Sequence, residues 1–550
     1  MFLFLSFVIL LLQNKMDTME RKRKIGHVES RLCEKLDVKK VVLSKTNEVL
    51  SKTNEVLTNE ESRTESCDVN YRTSGNVLLD LFFTIVRGHE ISDEKMNELW
   101  KANPTTLIQI LKHARDVRKG KGEKKIVRYA LLWLRHHKPK TYLLNLRDFT
   151  INLGYFKDLV QLASEIPLDH RKEMFGLELA IIGEALLYDK ELVDTSNRMD
   201  EKQISISLAA KWAPSEGKHF DVLAKRLAKL MFPQSKTALK EYRLLLTKLR
   251  HHLNLVETLM CENKFDQIDF SKVPSKAHRL LRKAFVKHNP LRYEKYLEQV
   301  SLGKQKINTT ATYPHELVQA CMNRQHDKTT QLMWEDIVDK LRSNTLTSSS
   351  VAVVDVSASM NGTPMEVAIA LGLMVSELTT LPFRDRVITF DTTPAWHVLN
   401  PKDSLADKVS HMLRAPWGGS TNLRGTFDLI LDTAVGSKVS QEDMPQTLFI
   451  FSDMQFNQAC GNQEKSQSTF QYAKQRFKEH GYQLPKIVFW NLRGDSKGVP
   501  IQSSTEEQTA LVSGYSPTLF KLFTQGNFSP IEIMNDAIQS YSGFVDESEL

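Results

Sequence analysis

Four short segments with apolar residues at consecutive positions set the strongest limit on how this 550-residue chain can fold. They are SSSVAVVDVSAS at 348–359, RVITFD at Arg386–Asp391, QTLFIFSD at Gln446–Asp453 and KIVFWNL at Lys486–Leu492. A strand with one wet face alternates apolar and polar side chains, whereas a strand apolar throughout is covered on both faces. Helical sequence separates each segment from the next, as in Met365–Leu378. Strands of this kind alternating with helices predict a parallel sheet, so residues 346–550 read as an α/β, doubly wound domain.

Upstream the period changes. In LLDLFFTIV, LIQILKHA, IVRYALLWL and HFDVLAKRLAKLMF the apolar residues recur every three or four positions, the spacing of one helix face. Pro- or Gly-bearing loops such as Asn103-Pro104 and Lys119-Gly120-Lys121-Gly122 separate these stretches. Residues 71–345 are therefore expected to be an all-α array of stacked helix pairs, without a strict repeat period. Residues 16–70 are polar and hold too few large apolar residues for a core, so a disordered or loosely helical arm is expected there. Within it SKTNEVL occurs twice in tandem, at Ser44–Leu50 and Ser51–Leu57, short of the three or four heptads of a coiled coil.

Residues 1–15 carry an apolar leader, Phe2–Leu12, too short to span a bilayer comfortably and without a preceding positive charge or a small-residue cleavage site. The expectation is initiation at Met16, with a membrane anchor or signal as the alternative. Five widely spaced cysteines form neither a zinc motif nor a disulfide framework, which points to a reducing compartment. A sequon at Asn361 would put a glycan inside the metal-site loop described below, which argues against secretion. Cytoplasmic residence is expected, with the nucleus as the alternative; the basic run Arg21–Lys24 reads first as a solvated charge run, and otherwise as a nuclear-import or polyanion patch. Stable membrane association is not expected unless the leader is genuine.

Asp355-x-Ser357-x-Ser359 leaves the first of the four strands at its carboxyl end, the edge where open α/β sheets bind ligands. One carboxylate and two hydroxyls turned toward one point supply hard oxygen donors suited to Mg²⁺ or Mn²⁺. Asp453, at the end of another strand, and the hydroxyl-rich loop Gly418-Gly419-Ser420-Thr421 offer further oxygens. The bland alternative is that Ser357 and Ser359 cap the following helix and no ion binds. At these residues the sequence resembles a von Willebrand factor A domain with a metal-ion-dependent adhesion site. The resemblance assigns Asp355, Ser357 and Ser359 to the first motif, Thr421 to the second and Asp453 to the third. It implies a Rossmann-like fold. Neutral hydroxyl ligands would leave the metal under-neutralised, so that it seeks an acidic oxygen from a protein partner.

Charge is divided unevenly. Residues 346–550 carry 15 Lys and Arg against 22 Asp and Glu, a net of −7, so with +8 for the whole chain residues 1–345 carry +15. Residues 101–150 hold 13 basic and three acidic residues, densest at Arg115, Arg118, Lys119, Lys121, Lys124 and Lys125. A basic loop containing glycines before a helix can approach phosphates closely and release counterions, which makes RNA a candidate partner. The loop lacks the spacing of a Walker A motif. A solvated basic helix face is the alternative, and Trp133, Tyr142 and Phe149 would either cover bases or fill the core.

TSGNVLLDLFF, RDVRKGKGEKK followed by YALLWL, GYFKDLV and AAKWAPSEGKHFD resemble the helical segment of TROVE-module proteins, the Ro-type RNA-binding proteins, which join HEAT-like helices to a von Willebrand A domain. KVPSKAHRLLRKAF, KINTTATYPHEL, GTPMEVAIALGLMVSEL, FSDMQFNQA and VFWNLRG resemble more closely an uncharacterised family of the same two-part architecture, catalogued as a domain of unknown function. The resemblance covers roughly residues 71–545. RNA binding is implied only by the more distant Ro-type proteins, and the six basic residues rest on charge and loop position.

No G-x-S-x-G, H-E-x-x-H or P-loop is present, and His136-His137 and His251-His252 are adjacent pairs that diverge by about 100° on a helix. The reading is a non-enzymatic RNA-binding or ribonucleoprotein component with a Mg²⁺-dependent protein-interaction site. A metal-dependent scaffold without RNA is the alternative, followed by a metal-dependent hydrolase.

Overall fold

A computed structural model describes residues 61–63, 69–165, 176–199, 204–342, 349–389, 393–414, 422–456, 469–496, 498–501, 503–523 and 528–550. The apolar leader, Arg21–Lys24, the duplicated heptad and the loop with Thr421 lie outside the described residues. Two compact units are present: Arg128–Asp269 with Phe544–Leu550, and 61–127 with Phe270–Gly543.

The first unit is helical. Its long helix Gly176–Met199 packs against Phe156–Ser164, Asp221–Met231 and Ala238–His252. Gly183 lets that helix approach Leu227 and Met231 closely. Trp133, Tyr142 and Phe149, weighed above as base-covering rings, are buried and fill the core. Buried Glu178 accepts from Arg135 at 2.8 Å and from the Tyr142 hydroxyl at 2.5 Å, so its charge is compensated inside the unit. Segment Phe544–Leu550 joins helix Pro139–Arg147. Asn145 Nδ2 donates to the Phe544 carbonyl at 2.7 Å, and the Lys140 and Thr141 N–H groups donate to the Glu549 carboxylate at 2.8 Å each. The carboxylate thus satisfies first-turn donors that have no partner within the helix.

The described part of the second unit begins with a two-stranded antiparallel pair, β1 (Glu61–Arg63) and β2 (Val69–Tyr71), which corrects the expectation of a disordered or loosely helical arm at 61–63 and 69–70; residues 16–60 and 64–68 of that arm lie outside the described residues. Helices Val77–Thr84, Asp93–Ala102 and Pro104–Arg115 follow, and after the excursion into the first unit come Ser275–His288, Pro290–Ser301, Pro314–Met322 and Lys328–Arg342. Their starts are written locally. Asn76 accepts from Leu78 and Leu79, and Asn103 accepts from Thr106 with proline at the first helical position. Asn289-Pro290 and Tyr313-Pro314 repeat the pre-set proline start.

Six further strands form one sheet: β3 (Ser350–Val354), β4 (Arg386–Thr389), β5 (Ala395–Val398), β6 (Thr447–Ser452), β7 (Lys486–Asn491) and β8 (Thr509–Ser513), in the order β5-β4-β3-β6-β7-β8. Every residue of β3, β6 and β8 is buried, as both-face coverage requires. Helix Thr363–Leu378 packs on β3, where Gly372 leaves room for Val354.

The sheet corrects the expectation of an all-parallel sheet in one respect: β5 pairs antiparallel to β4, so the sheet is mixed. The edge strand β5 is only half-covered and lacks the continuous apolar pattern of its neighbours. No described helix is long and apolar enough to cross a membrane.

Candidate metal centre

β3 lies between β4 and β6. The chain runs from β3 to β4 on one side and from β6 to β7 on the other, so the connections leave these central neighbours in opposite directions. Such a switch point opens a crevice at the carboxyl edge. The residue after β3 is Asp355 and the residue after β6 is Asp453. Val354 pairs with Phe451, and the Asp355 N–H continues the ladder to the Phe451 carbonyl at 3.0 Å.

Asp355 is fully buried. Its Oδ1 accepts from the Ser357 N–H at 2.9 Å, and its Oδ2 accepts from the Ser452 hydroxyl at 2.5 Å. Burial pushes its carboxyl up to about 6, the Asp453 charge pushes the same way, and the bonds from Ser357 and Ser452 oppose both. Ser357 and Ser359 bring their hydroxyls within 3.0 Å of each other. Neither caps the long helix, whose N-cap is Gly362 at φ +91°, and Ser357 makes no side-chain cap to the short turn Ala358–Met360.

Asp453 supplies the telling atom. Its Oδ1 accepts from the Gln455 N–H at 3.1 Å, but its buried Oδ2 has no hydrogen-bond partner among the described residues. The nearest cation is Arg493, with Nη1 at 3.9 Å. That guanidinium donates to the Ser359 carbonyl at 2.7 Å and pairs with Asp495. A buried carboxylate oxygen without a donor is costly. A divalent cation among Asp355, Ser357, Ser359 and Asp453 would relieve it with hard oxygen donors. No group of three or more His, Cys, Asp or Glu that could hold a metal occurs among the described residues. The candidate donors here are two carboxylates, Asp355 and Asp453, and two hydroxyls, Ser357 and Ser359. Thr421 lies outside the described residues. Ser452 and Arg493 received no role from the sequence, although FSD and VFWNLRG contain them.

The six basic residues separate into two groups. Arg118, Lys119, Lys124 and Lys125 are exposed, Lys125 pairing with Glu90 at 2.9 Å. Arg115 and Lys121 are buried, which corrects the expectation that they contact RNA. Lys121 Nζ bonds to the Phe82 carbonyl, to the Ile85 carbonyl at 3.2 Å and to Ser513 Oγ at 2.7 Å. Burial lowers its ammonium to about 7 and raises neighbouring Glu123 to about 7. The glycines serve packing rather than phosphate approach. A side chain at Gly120 would strike the His113 carbonyl, and one at Gly122, at φ +72°, would strike the Tyr313 hydroxyl. The Lys121 and Glu123 N–H groups are already bonded, to the His113 carbonyl at 3.1 Å and the Ala114 carbonyl at 2.7 Å.

Comparison with known families matches residues 64–176 and 179–346 to a domain of unknown function, DUF2828. The chain belongs to the DUF2828 family. Residues 349–542, which hold the sheet, match a second domain of unknown function, DUF7788. An uncharacterised protein of Acanthamoeba polyphaga mimivirus is 36% identical over 507 residues, 87% of each chain. The two chains are therefore of similar length.

Proposed function

We propose that this is a non-enzymatic binding protein. In this reading a von Willebrand A-type sheet follows a TROVE-like helical region and holds Mg²⁺ or Mn²⁺ at Asp355, Ser357, Ser359 and Asp453, with Thr421 as a further donor. The cation, coordinated largely by neutral hydroxyls, takes an acidic oxygen from a protein partner. The observation that carries the reading is the buried Oδ2 of Asp453, which has no hydrogen-bond partner among the described residues, beside the buried carboxyl of Asp355. When bound, the cation supplies a positive centre that joins the two proteins. The chain's residues orient and desolvate it: Ser452 and the Ser357 N–H aim Asp355, and Arg493 holds the Ser359 loop.

The test is calorimetric titration of Mg²⁺ and Mn²⁺ into the full chain and into Asp355→Ala and Ser357→Ala variants. Binding to the parent that Asp355→Ala abolishes supports the reading, and equal heats from all three refute it. RNA binding is the second reading, favoured by the exposed Arg118, Lys119, Lys124 and Lys125 within a stretch of net +10. RNA crosslinked to the parent and lost when these four become Glu would support it, and no crosslinked RNA would remove it.

A further inference from the structure

The most basic short segment of the second unit after residue 270 lies away from the loop considered for RNA. Residues 272–295 hold eight Lys and Arg and a single acid, Glu294. On helix Ser275–His288, Lys276, Lys283 and Lys287 fall within about 40° of one another at 100° per residue, forming one stripe. All three are exposed, and none has an ion pair or side-chain hydrogen bond with the described residues. Leu280, on the same stripe, is 62% exposed. Val286 (52%) and Leu291 (81%), the latter at the start of the next helix, are exposed as well. The aromatic side chains of this segment, Phe285 and Tyr293, are buried.

We propose that this helix face docks reversibly on an anionic membrane surface. The three lysines, without partners among the described residues, match anionic headgroups in charge, and exposed Leu280 on the same stripe enters the boundary between headgroups and acyl chains. The same features fit single-stranded RNA less well, because leucine and valine offer bases no stacking surface and the rings that could are buried. Docking of this kind needs no membrane-spanning helix, and it is independent of the cation site.

The experiment is co-sedimentation of the full chain with vesicles of phosphatidylcholine alone and of phosphatidylcholine with phosphatidylserine, across a salt series. Binding is expected only with phosphatidylserine, weakening as salt rises. Each lysine near such a surface contributes about a fivefold factor, so Lys276→Glu/Lys283→Glu/Lys287→Glu should lower partitioning by roughly 100-fold or more. The neutral Lys276→Gln/Lys283→Gln/Lys287→Gln variant should show a smaller loss with an unchanged melting temperature, which guards against misfolding. Lys229→Glu/Lys236→Glu/Lys240→Glu, three exposed lysines of the first unit, should bind like the parent. No phosphatidylserine-dependent binding, or an equal loss in that last variant, overturns the proposal. So does release of bound protein by poly(U) together with direct poly(U) binding that needs the three helix lysines, which would assign the face to RNA.

Discussion

Replacing Asp355 by Asn should stabilise the sheet unit at neutral pH in the presence of a chelator. The carboxyl sits at about 6 in the fold against 3.8 for an unperturbed group, chiefly through burial and next through the Asp453 charge. The folded chain therefore holds this proton more tightly than the unfolded chain does. Below about pH 4 the group is protonated in both states and carries no penalty. Between about 4 and 6 the unfolded chain ionises first, so stability falls as pH rises, and above about 6 the penalty is constant. A gap of about two units corresponds to roughly 3 kcal/mol, and asparagine keeps the shape while removing the charge. At about pH 7 in EDTA the variant should melt on the order of 5 °C higher than the parent, with a flatter pH profile between 4 and 6. Saturating Mg²⁺ should reverse the order, because mass action stabilises only a chain that binds the ion. The assay is thermal unfolding followed by circular dichroism across pH, with chelator or Mg²⁺. A variant that melts at or below the parent in EDTA, and keeps the slope between pH 4 and 6, would refute the argument that burial and Asp453 together strain this carboxyl.

Asp453→Asn removes the second cause of that shift, so the pH-dependent loss of stability attributed to Asp355 should move toward lower pH in a stability-versus-pH series. Lys121→Ala takes the buried ammonium from three acceptors and should cost about 2–4 kcal/mol in urea unfolding, whereas exposed Lys119→Ala should cost less than about 0.5. Gly372→Ala adds a methyl against Val354 at the helix–β3 contact and should destabilise by about 1–3 kcal/mol despite alanine's better helix propensity, again read by urea unfolding. Glu178→Gln leaves Arg135 buried without its carboxylate and should lower the melting temperature of the first unit, at about 3–5 kcal/mol.

The central strands were legible because burial on both faces forces apolar residues at every position, and β3, β6 and β7 all carry such runs. β8, with the sequence TALVS, is equally buried but short and begins and ends in hydroxyl residues, so its pattern resembles a loop. Asp355 stood out as a candidate because D-x-S-x-S concentrates hard donors in five residues, and the structure places it at the strand end expected. Arg493 could not, since its approach to Asp453 and Ser359 is set by the pairing of β6 with β7 across about forty residues of sequence. Lys121 misled for a related reason: charge density along the chain is the same whether an ammonium faces water or three oxygens. The adjacent glycines were the available signal, and they report close packing against His113 and Tyr313.

Segment Phe544–Leu550 bears on how the chain is made as well as how it is held. It belongs to the unit whose helices begin some four hundred residues earlier, while the sheet unit is itself interrupted by residues 128–269. On the ribosome, the first-turn amides of helix Pro139–Arg147 emerge long before the Glu549 carboxylate that accepts from them. The helical unit therefore stays open at that end until the sheet has been synthesised. A fragment cut near residue 345, although it follows the change in sequence pattern, would separate both units from parts of themselves.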